Sequence, residues 1–309
     1  MRRLLEWSAL RGAALLAAGI FAGLFVPPLA SAARGVITPI VFLLMVLVLL
    51  RVDPAQVLGY LRRPALVTAL LAWLLVLCPL IVWAVLGGLG LGGPFAAGLV
   101  IVATGCAATS SPAFARLVGL DGEIALVVAI LSTLILPFTA PPLALGLLGI
   151  DLAISIPGLM LRLALLVGLP LVISIFLRQW MGPARLQHWG RAVDGAVVLL
   201  VVLYGFGVMD GVLGQLLATP GLVLTGIVVA FAGSLAMNAM TALAFAGFGR
   251  RMALSAGLMA GNRNMALYLA VIPATADPNI ILTFVLFQFP LFLSPFLLKP
   301  IYQRFREEP

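Results

Sequence analysis

Apolar runs of about 18 residues or more recur along this chain, and no other feature constrains its fold as strongly. Each run is long enough to cross a hydrocarbon core of roughly 30 Å. In lipid every backbone N–H and C=O must be satisfied internally, so only helices and closed barrels can span. A barrel would read as short alternating segments, and the chain has long continuous runs instead. Hydrophobic residues make up 63% of the 309 and charged residues 9%, with a mean hydropathy of +1.23. A soluble domain needs far more surface charge than this. The expectation is an all-α polytopic membrane protein whose first partner is the lipid bilayer.

Turn signals divide the runs into ten spans, at about 9–29, 35–51, 65–87, 94–118, 122–149, 156–179, 191–213, 219–248, 253–273 and 279–303. The net charge of +8 comes from 18 basic residues scattered between runs, a pattern that sets topology rather than binding nucleic acid. With the N-terminus inside, the cytoplasmic segments hold Arg2 and Arg3; Arg51, Arg62 and Arg63; Arg116; Arg178, Arg185 and Arg191; Arg250 and Arg251; and Lys299, Arg304 and Arg306. The opposite loops hold Arg34. This bias predicts ten helices with both termini cytoplasmic, and the chain's general character reads as that of a bacterial inner-membrane protein. The first span, with its basic start and A-S-A-A end, also resembles a signal peptide. The repeat described next requires that it be retained.

Ten spans divide into five and five, residues 1–151 and 152–309. Because five is odd, the second half starts from the other side of the membrane, which makes the repeat inverted. Span four reads GCAATSSPAFARL from Gly105, and span nine reads GLMAGNRNMALYL from Gly257. Both open on glycine, carry a polar cluster about one turn later and resume an apolar run. Matched, polar-interrupted helices in the fourth place of each half point to a transporter's binding site.

The candidate substrate-binding residues are Thr109, Ser110 and Ser111 in span four, Asn262, Arg263 and Asn264 in span nine, and Gln288 in span ten. Pro112 lacks an N–H and disfavours α geometry at Ser111, so a helix break is expected there. Arg263 is the sharpest signal. An arginine at the centre of a membrane helix costs roughly 2.5–3.5 kcal/mol on insertion scales and therefore faces the protein interior with partners. No acidic residue falls near mid-span; Asp194 is the nearest candidate. The guanidinium then either holds an anionic substrate or bonds the carbonyls of a broken helix. Ser132 and Thr133 before Pro137, and Asn238 and Thr241, line a cavity or bond between helices. Arg162 is expected to snorkel, and Trp180 and Trp189 to sit in an interfacial belt.

An enzyme at membrane depth would need a nucleophile with its base, paired carboxylates or metal ligands. The lone His188 lies in a basic loop, Cys78 and Cys106 sit apart in apolar runs, and no acidic pair lies mid-span. No enzyme activity, cofactor or bound metal is expected. A channel or a sensor that does not transport stays open beside a carrier.

These residues together resemble the bile acid:sodium symporter family. The resemblance implies ten helices in two inverted repeats, with broken fourth and ninth helices crossing in a core domain beside a panel domain. Ala107 to Pro112 looks like the family's G-G-T-A-S-N stretch, Met259 to Asn264 like its E-V-G-M-Q-N stretch, and Ser132 to Pro137 like its S-T-x-x-T-P stretch. The resemblance places substrate near Thr109 and Asn264. It places the family's two sodium ions at positions that here read Ser111, Pro112, Ser132, Leu136, Met259, Arg263 and Leu74. Of these, Ser111 and Ser132 keep oxygen side chains. The shared glutamate is replaced by Met259, and a glutamine by Arg263. The expectation is a secondary carrier of a small organic anion, a carboxylate or bile-acid-like molecule, whose core moves against its panel. Sodium coupling of the family's kind is absent or rebuilt. Arg263 is expected to stand in the vacated cation site and hold the crossing together.

Overall fold

A computed structural model describes residues 2–10, 12–52, 59, 64–148, 154–273 and 275–306. Arg62 and Arg63 of the charge argument, and the boundary between the two proposed repeats, lie outside these. The described chain is helical; an isolated bridge between Ala107 and Arg263 is its one piece of β pairing.

Four helical segments are long and apolar enough to cross a membrane: Pro64–Gly88, Gly122–Gly146, Ile156–Ala218 and Pro220–Ala244. A fifth candidate is the pair Pro27–Arg34 and Ile37–Leu50, bent by 70°. The expected sixth and seventh spans are two helical arms within Ile156–Val208 that meet at Gly182, whose φ 70° and ψ 163° are not helical. Glycine tolerates this positive φ without a Cβ clash, and Pro183 then starts the second arm. The expected spans four, nine and ten are shorter helices in series, so the count of ten rests on reading each broken pair as one span.

Large apolar side chains stand exposed on these helices: Phe138 is 63% exposed, Phe176 67%, Val228 66% and Leu243 77%. In water such surface would drive association; against lipid tails it carries no penalty. The chain is an integral membrane protein.

The chain forms two compact units, each drawing helices from both halves of the sequence. The first comprises Met1–Asp53, Arg162–Val223 and Leu269–Val271. Inside it, small residues let backbones meet: a Cβ on Gly23 would lie 2.8 Å from Phe206 Cα, and one on Gly207 2.9 Å from the Ala33 carbonyl carbon. Arg51 forks onto Asp194 at 2.8 and 3.2 Å, and Arg34 meets Asp210 at 3.3 Å. Arg178 donates to the Val52 carbonyl. Arg162, expected to snorkel, donates to the Val271 carbonyl at 3.1 Å.

The second unit comprises Pro54–Leu161, Leu224–Tyr268 and Ile272–Pro309 and contains both helix interruptions. Helix Arg250–Gly261 lies tight on helix Pro220–Ala244 through a G-x-x-x-G pair. A Cβ on Gly257 would fall 2.6 Å from the Asn238 carbonyl oxygen, and one on Gly261 2.9 Å from that of Ser234. The Ser234 hydroxyl then donates to the Gly261 carbonyl at 2.9 Å. On another side, Gly98 admits Thr283 at a distance no side chain would allow.

Candidate functional site

The interruptions fall where the polar clusters are. Helix Pro94–Thr104 ends at Gly105, whose φ −65° and ψ 156° are extended, and the chain becomes helical again at Ser111–Leu117. Pro112 sits in the first turn of that second helix, where its missing N–H costs nothing. The break therefore lies upstream of Pro112, across residues 105–110. Helix Arg250–Gly261 likewise ends at an extended Asn262, and Ala266–Val271 follows.

At the breaks the two strands of chain pair with each other. Ala108 N–H donates to the Asn262 carbonyl at 2.8 Å, and Asn264 N–H to the Cys106 carbonyl at 2.9 Å. These bonds close an antiparallel bridge at Ala107 and Arg263. Ala107 N–H goes to the Ser132 hydroxyl at 3.2 Å. Broken backbone buried in a membrane protein needs such partners.

Arg263 fills the space beside this bridge. It is 0% exposed and is the largest fully buried side chain among the described residues. Its Nε donates to the Ala260 carbonyl at 2.9 Å, Nη1 to the carbonyls of Leu74 at 3.0 Å and Gly105 at 2.7 Å, and Nη2 to Cys78 Sγ at 3.2 Å. Each acceptor has a reason to be open. Ala260 and Gly105 stand at the C-terminal ends of helices, where carbonyls lack intrahelical donors and the helix dipole favours a cation. Leu74 lies in a π-helical turn, Trp73–Leu77, where the Cys78 N–H reaches back to the Trp73 carbonyl. In that register the donor for Leu74 would be residue 79, and Pro79 has no N–H. No carboxylate contacts the guanidinium among the described residues, and Asp194 is taken by Arg51.

Around this centre, Ser111 and Ser132 are 0% exposed, Asn262 1% and Asn264 7%. Ser132 accepts from Ala107 N–H in the first break and donates to the Ala129 carbonyl at 3.2 Å. Asn264 accepts from Ala266 N–H at 3.1 Å. Ser111 Oγ and Asn262 Nδ2 are buried without a protein partner. Thr109 and Ser110, in the turn between bridge and helix, are partly exposed. Met259, Pro112, Leu136 and Leu74 are buried and offer no side-chain oxygen. Gln288 turns its amide to the Phe284 carbonyl, one helical turn back, at 3.4 Å.

Four residues of the site escaped the sequence reading. Tyr268 and Thr104 hydroxyls meet at 2.5 Å, tying the helix before one break to the helix after the other. Cys78 and Cys106 both accept at the crossing, from Arg263 and from Thr133 at 3.4 Å. Cys106 stands inside the G-C-A-A-T-S-S-P stretch, a signal within reach; Cys78 and Tyr268 carry none.

Two broken helices bonded to each other through their breaks are an arrangement found at the binding sites of membrane transporters. The profile of the Sodium Bile acid symporter family matches residues 38–208, more than half of the chain. The chain belongs to that family. No curated protein matches the chain. The stretch matched to the symporter family holds the first break and the π-helical turn and stops short of Arg263.

Proposed function

We propose that this family member is a secondary carrier that moves a small organic anion across the membrane by alternating access, without sodium coupling of the family's usual kind. The observation that carries this reading is the occupancy of the crossing by the Arg263 guanidinium. The carbonyls of Leu74, Gly105 and Ala260, the oxygens a cation there would use, already accept from it. Met259 brings no carboxylate, and a second positive charge would be repelled. The residues present do not fit sodium at this place.

Arg263 then serves as the strut of the crossing rather than as the hand that grips substrate. The anion's contacts are assigned to Thr109, Ser110 and Asn264, whose polar groups lie at the rims of the two breaks, with the buried positive charge drawing the anion toward them. We read the unit holding the crossing as the core and the other as the panel, and the halves 1–151 and 152–309 as inverted repeats. The placement of breaks at 105–110 and 262–265, each after a helix of 11 or 12 residues, supports the repeat.

A second reading has one observation in its favour: Ser111 Oγ is buried and unpartnered, so a rebuilt cation site could begin there. One experiment separates the two. The melting temperature of purified protein is measured with 2-oxo acids, pantoate and taurocholate, each in sodium and in potassium buffer. A ligand at 100 times its Kd stabilises the native state by about 2.7 kcal/mol. An anion-specific rise equal in both salts is expected. A rise confined to sodium overturns the sodium-independent reading, and no rise with any anion overturns the anion carrier.

A further inference from the structure

A cation coupled to transport comes and goes; Arg263 cannot. This difference reaches beyond the question of sodium to the mode of transport. A symporter stays coupled because the cation-bound state without substrate does not cross over, whereas the empty state does. The coupling is a free energy between two sites, and it vanishes if the ligand has equal affinity for both conformations. Here the cationic group is covalently part of the chain. It is 0% exposed and is held by four of its five N–H donors to three carbonyls and a thiol. A guanidinium is a permanent charge, so the crossing is never without its positive group at any point of a cycle.

On the carrier reading above, we propose that this protein is an obligate exchanger, trading one organic anion for another of the same charge. The substrate-free protein is permanently in the condition of a symporter that has its cation and lacks its substrate, the condition that does not cross over. Two features of the structure reinforce this. The charge has no carboxylate beside it among the described residues, so the anion is what neutralises it. And the guanidinium ties the π-helical turn, the end of Pro94–Thr104 and the end of Arg250–Gly261 to one another, the three elements whose contacts a loosely held ion would have released on leaving. With the anion bound the site is neutral and moves; without it the site stays. Both directions therefore need a passenger, and the return step is made by a second anion instead of by the empty protein.

The wild-type protein suffices for the test. Proteoliposomes in sodium-free potassium buffer are loaded with whichever radiolabelled probe (2-oxoisovalerate, pantoate or taurocholate) raises the melting temperature. Efflux is followed with and without the same unlabelled anion outside. Exchange predicts that external anion accelerates efflux by about tenfold or more, and that a potassium diffusion potential set with valinomycin leaves the accelerated rate unchanged, because like is traded for like. Equal efflux into buffer and into anion overturns the exchanger while leaving the carrier standing. An accelerated rate that follows the imposed potential overturns one-for-one charge balance and hence the proposal. No protein-dependent efflux in either condition overturns the carrier reading and the exchanger with it.

Discussion

Replacing Arg263 with methionine removes the hub of the crossing while roughly keeping its volume. Three carbonyls, those of Leu74, Gly105 and Ala260, lose their donors in a buried place. A buried acceptor left unsatisfied costs about 1–3 kcal/mol, so three cost about 3–9 kcal/mol. Against this stands the relief of no longer holding a cation at membrane depth, roughly 2.5–3.5 kcal/mol on insertion scales. The balance is a loss of about 3 kcal/mol, a large share of the roughly 5–15 kcal/mol that holds a typical protein folded. Lysine keeps the charge but presents its donors from one point rather than a planar fork. Arg263→Lys should therefore fall between wild type and Arg263→Met. The assay is thermal and denaturant unfolding of the three proteins in one detergent, with purification yield recorded beside it. Equal stability of Arg263→Met and wild type would refute the reasoning, since it would mean that water or backbone adjustment serves those carbonyls as well as the guanidinium does.

Three further outcomes follow from the same geometry. Tyr268→Phe removes the hydroxyl that meets Thr104 and should cost about 0.5–1.5 kcal/mol in unfolding experiments; a neutral effect would mean that this contact holds nothing. Thr109→Val and Asn264→Leu should reduce the anion-induced rise in melting temperature by at least half without lowering the anion-free value comparably, whereas undiminished shifts in both would move the substrate elsewhere. Arg263→Gln should not make transport sodium-dependent, because position 259 remains methionine; radiolabelled uptake compared in sodium and potassium decides it.

Much of the architecture could be read without coordinates because lipid simplifies the rules. Long apolar runs must be helices, and polar clusters inside them must be breaks or sites. Residues 105–111 and 262–264 were therefore visible as a pair, and so was the isolation of Arg263 from any carboxylate at its depth. The break was expected at Ser111 and Pro112 because proline is the strongest local signal. It lies a turn earlier, since proline is at home in the first turn of the helix that resumes.

Sequence alone determined that the chain is helical and membrane-bound, that the apolar runs around residues 105–111 and 262–264 are interrupted, and that a permanent positive charge is buried in the second interruption. Each of these follows from composition and local chemistry, which need no partner to be evaluated. Only the tertiary structure decided what that charge does. Its acceptors lie at positions 74, 78, 105 and 260, and the Leu74 carbonyl is left open by a π-helical turn ahead of Pro79. An arginine reads the same in sequence whether it faces a substrate or a set of carbonyls. The choice is made by which helix ends the fold brings within reach of the guanidinium, and that is a property of packing between segments more than a hundred residues apart.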